Sequence, residues 1–433
     1  MARHRIAGTA GALAVVAIAL TGCGSSSSSV GPGPLVLGVY VPYTGSSASF
    51  GPEGSATCFA AAKALNDGGG VLGHKFTCKP FDSTEDPADA LPVANRMVAS
   101  TSNLVEIYGP ASVEPAVDPV LNNAKLVHLA VNGDPRYDNQ TSEFFYRLSP
   151  SDSVAGTALA VYATTKGYKH AAAVFTNDQS AQTSVPSLRK TYPKVGGTLA
   201  ADITLSPGQS SYRTEVEKVL SSGADAVIGE LDPQTAATFL SEMLQLNNGK
   251  LLPIITTSRA IESDWIGAVL KVLGASAFKQ DITAVSFNVP SSGPGYAAFK
   301  AALTSAPQSI AERSTYLTDP YAQWNYDGMV ISALAMLEAK SADSTKWAPL
   351  VKRIANGAPG ATTVSTFPEG KQAIAAGKSV HYVGASGPLL FNQFHNNAAP
   401  FVGFVYNGTG NGPTSLIPTG AAIAPAQLAA AEG

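Results

Sequence analysis

Leu35-Val36-Leu37-Gly38-Val39-Tyr40-Val41 is an unbroken apolar run without helical spacing. It reads as a β-strand buried on both faces, the pattern of a parallel sheet covered by helices. A polar loop of Gly, Ser and Ala follows over Pro42–Gly54. Ser55–Asn66 then has the apolar spacing of a helix, with Gly68 as its stop signal. His74–Phe81 is the next strand. The order repeats: helix Pro87–Ser100, strand Val105–Tyr108, helix Pro115–Asn123, strand Leu126–Val131. It resumes with helix Val154–Lys166, strand Ala171–Thr176, helix Gln182–Thr191 and strand Thr198–Ile203. Helix Tyr212–Ser222, strand Ala226–Ile228, helix Pro233–Leu246 and strand Pro253–Thr256 complete it. Such alternation predicts an α/β fold of parallel sheets with helices on both faces. The polar stretch Tyr146–Ser153 divides the two runs and predicts a crossing between two lobes.

The chain has 433 residues, enough for two or three domains. Lys and Arg total 28 against 31 Asp and Glu, a net charge of -3. That balance provides no basic patch for nucleic acid. Charged residues make up 14%, against about 25% in ordinary globular chains. The surfaces are therefore polar but weakly charged.

Residues 1–22 read as a signal peptide. Arg3 and Arg5 precede an apolar stretch, Ile6–Leu20, too short to span a bilayer comfortably. Leu20-Thr21-Gly22-Cys23 resembles the bacterial lipobox, which implies a lipid on Cys23 and cleavage before it. Residues 23–34, rich in Ser and Gly, then form a flexible tether. These features place the body on the extracytoplasmic face of the membrane, lipid-anchored. Setting Cys23 aside leaves Cys58 and Cys78, an even pair in an oxidising compartment, and predicts a disulfide.

Few motifs point to catalysis. Gly68-Gly69-Gly70-Val71-Leu72-Gly73 fits the letters of a dinucleotide fingerprint, but it lies after a helix and before a strand. That order puts no helix N-terminus against a phosphate, so the stretch is a turn. No nucleophile elbow and no H-E-x-x-H pair occurs, and the six histidines are scattered. The expectation is a chain that is not an enzyme, with no metal and no cofactor. The loops after the strands are more informative, because ligands of α/β sheets bind outside the carboxyl ends of strands. Phe50 stands in the first such loop, Pro110-Ala111-Ser112 in a second, and Asn132-Gly133-Asp134 in a third. Ser112 precedes Glu114-Pro115, so it is a candidate both for helix capping and for holding a carboxylate.

Tyr43-Thr44-Gly45 through Phe50-Gly51, then Leu65-Asn66-Asp67-Gly68-Gly69-Gly70-Val71-Leu72-Gly73-His74-Lys75, resemble the opening of bacterial branched-chain amino-acid-binding proteins. These are type I periplasmic binding proteins of ABC importers. Phe81-Asp82-Ser83-Thr84-Glu85-Asp86-Pro87, Tyr321, Tyr326-Asp327 and Gly387-Pro388-Leu389-Leu390-Phe391 match later segments in family order. The resemblance implies two α/β lobes joined by three hinge crossings, near 148–153, 287–292 and 385–388. One lobe would comprise 35–149 with 291–385, the other 150–290 with 386–410, leaving 411–433 as a loosely ordered tail. It implies that a small ligand (an amino acid, a carboxylate or a related compound) is captured between the lobes and passed to an ABC permease. A receptor of the same fold that signals to a partner protein is the alternative. Phe50 and Tyr321 would wall the ligand, and Pro110, Ala111 and Ser112 would hold its carboxylate.

The departures bear on the ligand. Ser180 stands where the family places an aromatic. Ser258 and Arg259 stand where it places the acid that pairs with an ammonium. Asp134 and Glu230 are the replacement acids in reach. A cationic Arg259 would repel an ammonium, so the expectation is a ligand other than an aliphatic amino acid. A carboxylate-bearing one is expected if Arg259 faces the cleft.

Overall fold

The computed structural model describes Met1 and residues 30–45, 47–84, 86–307, 313–410 and 415–433. The signal peptide, Cys23 and the serine run fall outside the described residues. The end of the tether is pinned rather than free. Gly31 donates its N–H to the Asn103 side chain at 2.8 Å, and Asn103 Nδ2 returns a bond to the Gly31 carbonyl at 3.1 Å.

The described residues form two main sheets. The first runs in the order Phe76–Asp82, Leu35–Val41, Leu104–Tyr108, Val127–Ala130, Phe145–Arg147, all parallel. Every residue of Leu35–Val41 is buried, as its apolar run requires. The second sheet runs Leu416–Ile423, Phe401–Tyr406, Ile282–Phe287, Ile254–Thr256, Ala226–Glu230, His170–Thr176, Thr198–Leu205. The expectation of purely parallel sheets fails at one edge. Phe401–Tyr406 returns antiparallel to Ile282–Phe287, and Leu416–Ile423 is antiparallel to Phe401–Tyr406. A small third sheet joins Thr362–Val364, Val380–Gly384 and Gly387–Pro388.

Helix starts follow a local rule that the sequence repeats. Asp86-Pro87, Asp232-Pro233 and Asp319-Pro320 each put a carboxylate at the cap and a proline at the first helical position. The carboxylate accepts N–H groups that the first turn leaves free, and proline loses nothing by lacking one. The helix opened by Asp319, Pro320–Ala339, has apolar residues on all sides and is buried over most of its length. It packs along helix Phe50–Asp67. That helix starts at Phe50, earlier than the sequence predicts, so Phe50 belongs to its first turn rather than to the loop. Gln182–Thr191 is two helices, Gln179–Thr183 and Val185–Lys194, with Pro186 in the first turn of the second.

Cys58 and Cys78 form the expected disulfide, with Cα atoms 6.0 Å apart. It ties helix Phe50–Asp67 to strand Phe76–Asp82. The glycine-rich link between them is the turn that was expected, with Gly69, Gly70 and Gly73 at positive φ.

Two further expectations are corrected. The third passage between the lobes lies later than 385–388. Asn397 still donates its N–H to the Arg147 carbonyl at 3.0 Å and its Nδ2 to the Leu148 carbonyl at 2.8 Å, and the second sheet is joined only from Phe401. The tail is not loose over 416–432. It gives the edge strand Leu416–Ile423 and helix Pro425–Glu432, whose Leu428 is buried against helices Asp152–Thr165 and Val185–Lys194. Small and apolar residues placed an open strand edge within reach, and backbone pairing there outweighed the composition. No helix among the described residues is long and apolar enough to cross a membrane.

Candidate functional site

The loop after strand Leu35–Val41 is fastened by Asp82. The Tyr43 N–H and the Thr44 hydroxyl donate to its two oxygens at 2.9 and 2.8 Å, and the Thr84 N–H adds a bond at 2.9 Å. Burial pushes the Asp82 carboxyl up, but these hydrogen bonds win and hold it below its ordinary range. The anchored loop delivers Phe50 half-buried, its ring 6.0 Å from that of Tyr321 and edge-on to it. Tyr321 also meets Phe287 of the second sheet at 5.9 Å, with Ser258 beside its hydroxyl. Three segments from both lobes thus converge on one ring. The structure brings Phe50, Tyr321 and Ser258 near one another.

In the second lobe, Ser180, Glu230 and the residue before Ser258 also meet. Ser180 Oγ donates to one Glu230 oxygen at 3.0 Å and Thr257 Oγ1 to the other at 2.6 Å. Burial pushes the Glu230 carboxyl up to about 7 against these bonds, and Asp152 adds repulsion. Ser180 replaces an aromatic wall with a hydroxyl spent on an acid.

Other candidates are placed differently. Arg259 is clamped by Asp264, Nη1 to Oδ1 at 2.8 Å and Nη2 to Oδ2 at 2.6 Å. Its fork is occupied, so it offers no two-pronged seat for a carboxylate. Asp134 is likewise consumed: Arg136 donates to it through Nε at 2.8 Å and Nη2 at 2.6 Å. Ser112 is exposed, and the helix cap is Val113 with no side-chain bond, so the capping role does not hold. Pro110 is buried and Ala111 half-buried beside it. Gly109 makes that loop possible: its φ is +101°, and a Cβ there would lie 2.0 Å from the Tyr40 carbonyl. Asn132 is buried, with Nδ2 unpartnered among the described residues. Gly133 admits the Asp152 carboxylate, which a Cβ would meet at 2.1 Å.

Four acids were missed. Glu53 lies one turn beyond Phe50 and is 4% exposed; the Tyr108 hydroxyl approaches one of its oxygens at 3.4 Å. Asp319, 8% exposed, spends one oxygen on the Tyr321 and Ala322 N–H groups. Glu262 starts helix Ser263–Asp281 without capping it. Burial raises all three, and repulsion from Asp319 adds to it for Glu53 and Glu262: Glu53 goes well above its ordinary range, Glu262 to about 8 and Asp319 to about 6. Asp152, pushed up by burial to about 6, accepts from Thr183 at 2.7 Å. In sequence each of these acids reads as a favourable charge at a helix start, which hid the convergence.

His128, scattered in sequence, meets Glu114 in the first lobe, Nδ1 to Oε1 at 2.7 Å, with Asp118 at 3.7 Å from Nε2. Burial drives the imidazole down to about 4 and the Glu114 carboxyl up, so the pair shares a proton as an uncharged core contact.

Residues 34–406 match the family described as periplasmic binding protein. An amino acid binding protein of Pseudomonas aeruginosa is 26% identical over 205 residues, 46% of this chain and 54% of that protein. A Leu/Ile/Val-binding protein homolog of Brucella abortus is 28% identical over 129 residues, 30% of this chain and 35% of that one. The chain thus spans about half of the first relative and a third of the second. Among solved structures, a leucine binding protein from Thermotoga maritima superposes with a TM-score of 0.68 at 18% identity, covering 90% of this chain and 99% of its own. A solute binding protein from R. palustris in complex with benzoate gives 0.64 at 17% identity, with 90% and 98% covered. The matched span takes in both sheets up to Tyr406 and every residue of the cleft, and on that ground the chain belongs to the periplasmic binding protein family of solute-binding proteins.

Proposed function

We propose that this protein is the extracytoplasmic ligand-capturing component of an ABC importer, held at the membrane by a lipid on Cys23. It closes its two lobes on a small molecule and presents the closed form to a permease. The observation that carries the reading is the convergence on Tyr321. Its ring lies 6.0 Å from that of Phe50 and 5.9 Å from that of Phe287, where the chain passes between the lobes, so an aromatic wall stands at the base of the cleft that closure would cover. Ligand that contacts both faces binds the closed form better, and that difference in affinity shifts the population toward it. The relatives' names, an amino acid binding protein among them, support the same role.

The test is a thermal-shift screen over amino acids, carboxylates, amides, aromatic acids and amines, followed by small-angle scattering with each hit. A ligand that binds only the folded form adds about 2.7 kcal/mol at a hundredfold excess over Kd. Hits that contract the protein support the reading, and saturating ligand that leaves its dimensions unchanged refutes it. Mass spectrometry of membrane-extracted protein checks the anchor: a chain beginning at diacylated Cys23 is expected.

A further inference from the structure

Helix Glu114–Asn123 and strand Val127–Ala130 bring three metal-type ligands together in the first lobe. Glu114, Asp118 and His128 each offer an atom within 4.8 Å of the others. Glu114 and Asp118 lie one turn apart on the helix, and His128 meets them from the strand. The His128 ring is fully buried, stands edge-on to Phe145 at 5.3 Å, and pairs through Nδ1 with Glu114 Oε1 at 2.7 Å. That pairing accounts for one nitrogen only. Nε2 is buried with no hydrogen-bond partner among the described residues, a costly state for a polar atom. It faces Asp118 Oδ1 at 3.7 Å, too far for a hydrogen bond.

The geometry around Nε2 is that of an ion site. With Nδ1–H donating to Glu114, Nε2 carries a lone pair, so it and the Asp118 oxygen are two acceptors facing one gap. Two ligand atoms on a tetrahedral zinc ion lie about 3.4 Å apart when each bond is about 2.1 Å. A gap of 3.7 Å closes to that by a small side-chain shift. A carboxylate behind the imidazole is the arrangement that orients a metal-binding histidine. Asp118 is held in turn: Asn122 Nδ2 donates to its Oδ1 at 2.6 Å, and the Ser142 hydroxyl donates to Asn122. Asp118 also borders an open cavity of about 450 Å³, lined with it by Asn122, Gln140, Ser142 and Glu143. An ion can enter there, and water can complete its shell. Spacing along the chain did not suggest a metal, because Glu114 and His128 are 14 positions apart and meet only through the fold.

We propose that His128 Nε2 and Asp118 bind a divalent transition-metal ion of the zinc class, with Glu114 positioning the imidazole from behind and water from the cavity filling the remaining positions. Imidazole with carboxylate suits zinc, whereas calcium and magnesium take oxygen ligands. The two carboxylates balance the charge of the ion, which fastens helix Glu114–Asn123 to strand Val127–Ala130. The site uses none of the residues placed in the cleft and stands independently of the solute-binding reading.

The test is calorimetric titration of zinc chloride into chelator-stripped, tag-free protein, with cobalt(II) absorption as a second readout of the coordination shell. One zinc per chain is expected at micromolar Kd or tighter, with a higher melting temperature and displacement of cobalt from the same site. D118N and H128Q are each expected to weaken zinc binding tenfold or more and to abolish the cobalt spectrum. H170Q, at an exposed histidine elsewhere, is expected to leave both unchanged. D118N changes a partly exposed side chain, so it decides the matter if H128Q does not fold. Absence of zinc binding, D118N binding zinc as the parent does, loss of binding in H170Q, or magnesium or calcium binding as tightly as zinc each overturns the inference.

Discussion

The ring of Phe50 stands edge-on to that of Tyr321, centroids 6.0 Å apart and planes at 81°. One ring opens the helix that follows the first strand, and the other lies in the first turn of the buried helix Pro320–Ala339. The Tyr321 hydroxyl also faces Ser258 in the opposite lobe. Under the proposed reading, Tyr321→Phe keeps the ring contact and removes a hydroxyl whose bond across the closed cleft would be worth about 1 kcal/mol. Ligand affinity should fall roughly fivefold, with the ligand-free melting temperature little changed. Phe50→Ala should cost more affinity, since an aromatic pair contributes about 0.5–1.5 kcal/mol beyond burial. Calorimetric titration of both variants with one ligand checks the order.

Asp327 organises the segment that leads to the third crossing. It accepts N–H bonds from Ala385 at 2.9 Å and Ser386 at 2.7 Å, and hydroxyl bonds from Ser386 and Tyr382. Asp327→Asn turns one accepting oxygen into a donor and should cost about 1–3 kcal/mol. Gly384→Ala should be comparably harmful, because its Cβ would lie 2.0 Å from Asp327 Oδ1. Urea-unfolding midpoints measure both, and a Gly384→Ala protein as stable as the parent contradicts the crowding argument.

The Cys58–Cys78 bond closes a loop of 20 residues. Chain entropy values such a bond at about 3 kcal/mol. Cys58→Ala with Cys78→Ala should lower the first-lobe transition in differential scanning calorimetry, and dithiothreitol should lower the parent's to the same temperature.

The cleft acids give the ligand-free protein a defined pH response. Glu262 titrates near 8, Glu230 near 7 and Asp319 near 6, each raised by burial. Unfolded carboxyls titrate at about 4. The folded state therefore holds more protons across this interval, and its stability falls as pH rises through it. The melting temperature should decline from about pH 5 toward pH 8 and then level off. Tyr108 and Tyr321 face the same acids and stay neutral over that range, while the Arg259–Asp264 pair stays charged. Melts at four pH values check the slope, and a melting temperature that rises from pH 5 to 8 contradicts it.

Much of the fold was legible because its signals are local. Helices Pro87–Ser100 and Pro233–Leu246 begin and end where proline, acid and apolar spacing put them. The lobes came from the resemblance of ordered segments around Phe50, Asp82 and Tyr321. What stayed hidden was pairing at long range. Nothing in Leu416–Ile423 announces a strand except an open edge at Phe401–Tyr406, 10 or more positions away in the chain. The site was half legible for the same reason. Phe50 and Glu230 follow strands, where ligand residues are sought, but Glu53, Glu262 and Asp319 sit at helix starts, where an acid needs no further reason. The orientation of Arg259 stayed open in the sequence because its partner Asp264, five positions on, falls within an ordinary helix start.

The C-terminal strand has a consequence for how copies of this protein treat one another. Leu416–Ile423 covers the outer edge of Phe401–Tyr406, and carries Pro418 and Gly420 on its own exposed side. An imino acid cannot donate to an added neighbour, so the sheet ends in a strand that resists extension. A chain stopped at residue 410 would instead offer Phe-Val-Gly-Phe-Val-Tyr as an unpaired ribbon edge, open to the same ribbon of a second molecule. The strand thus acts as a stopper, keeping neighbouring molecules from stitching together sheet to sheet.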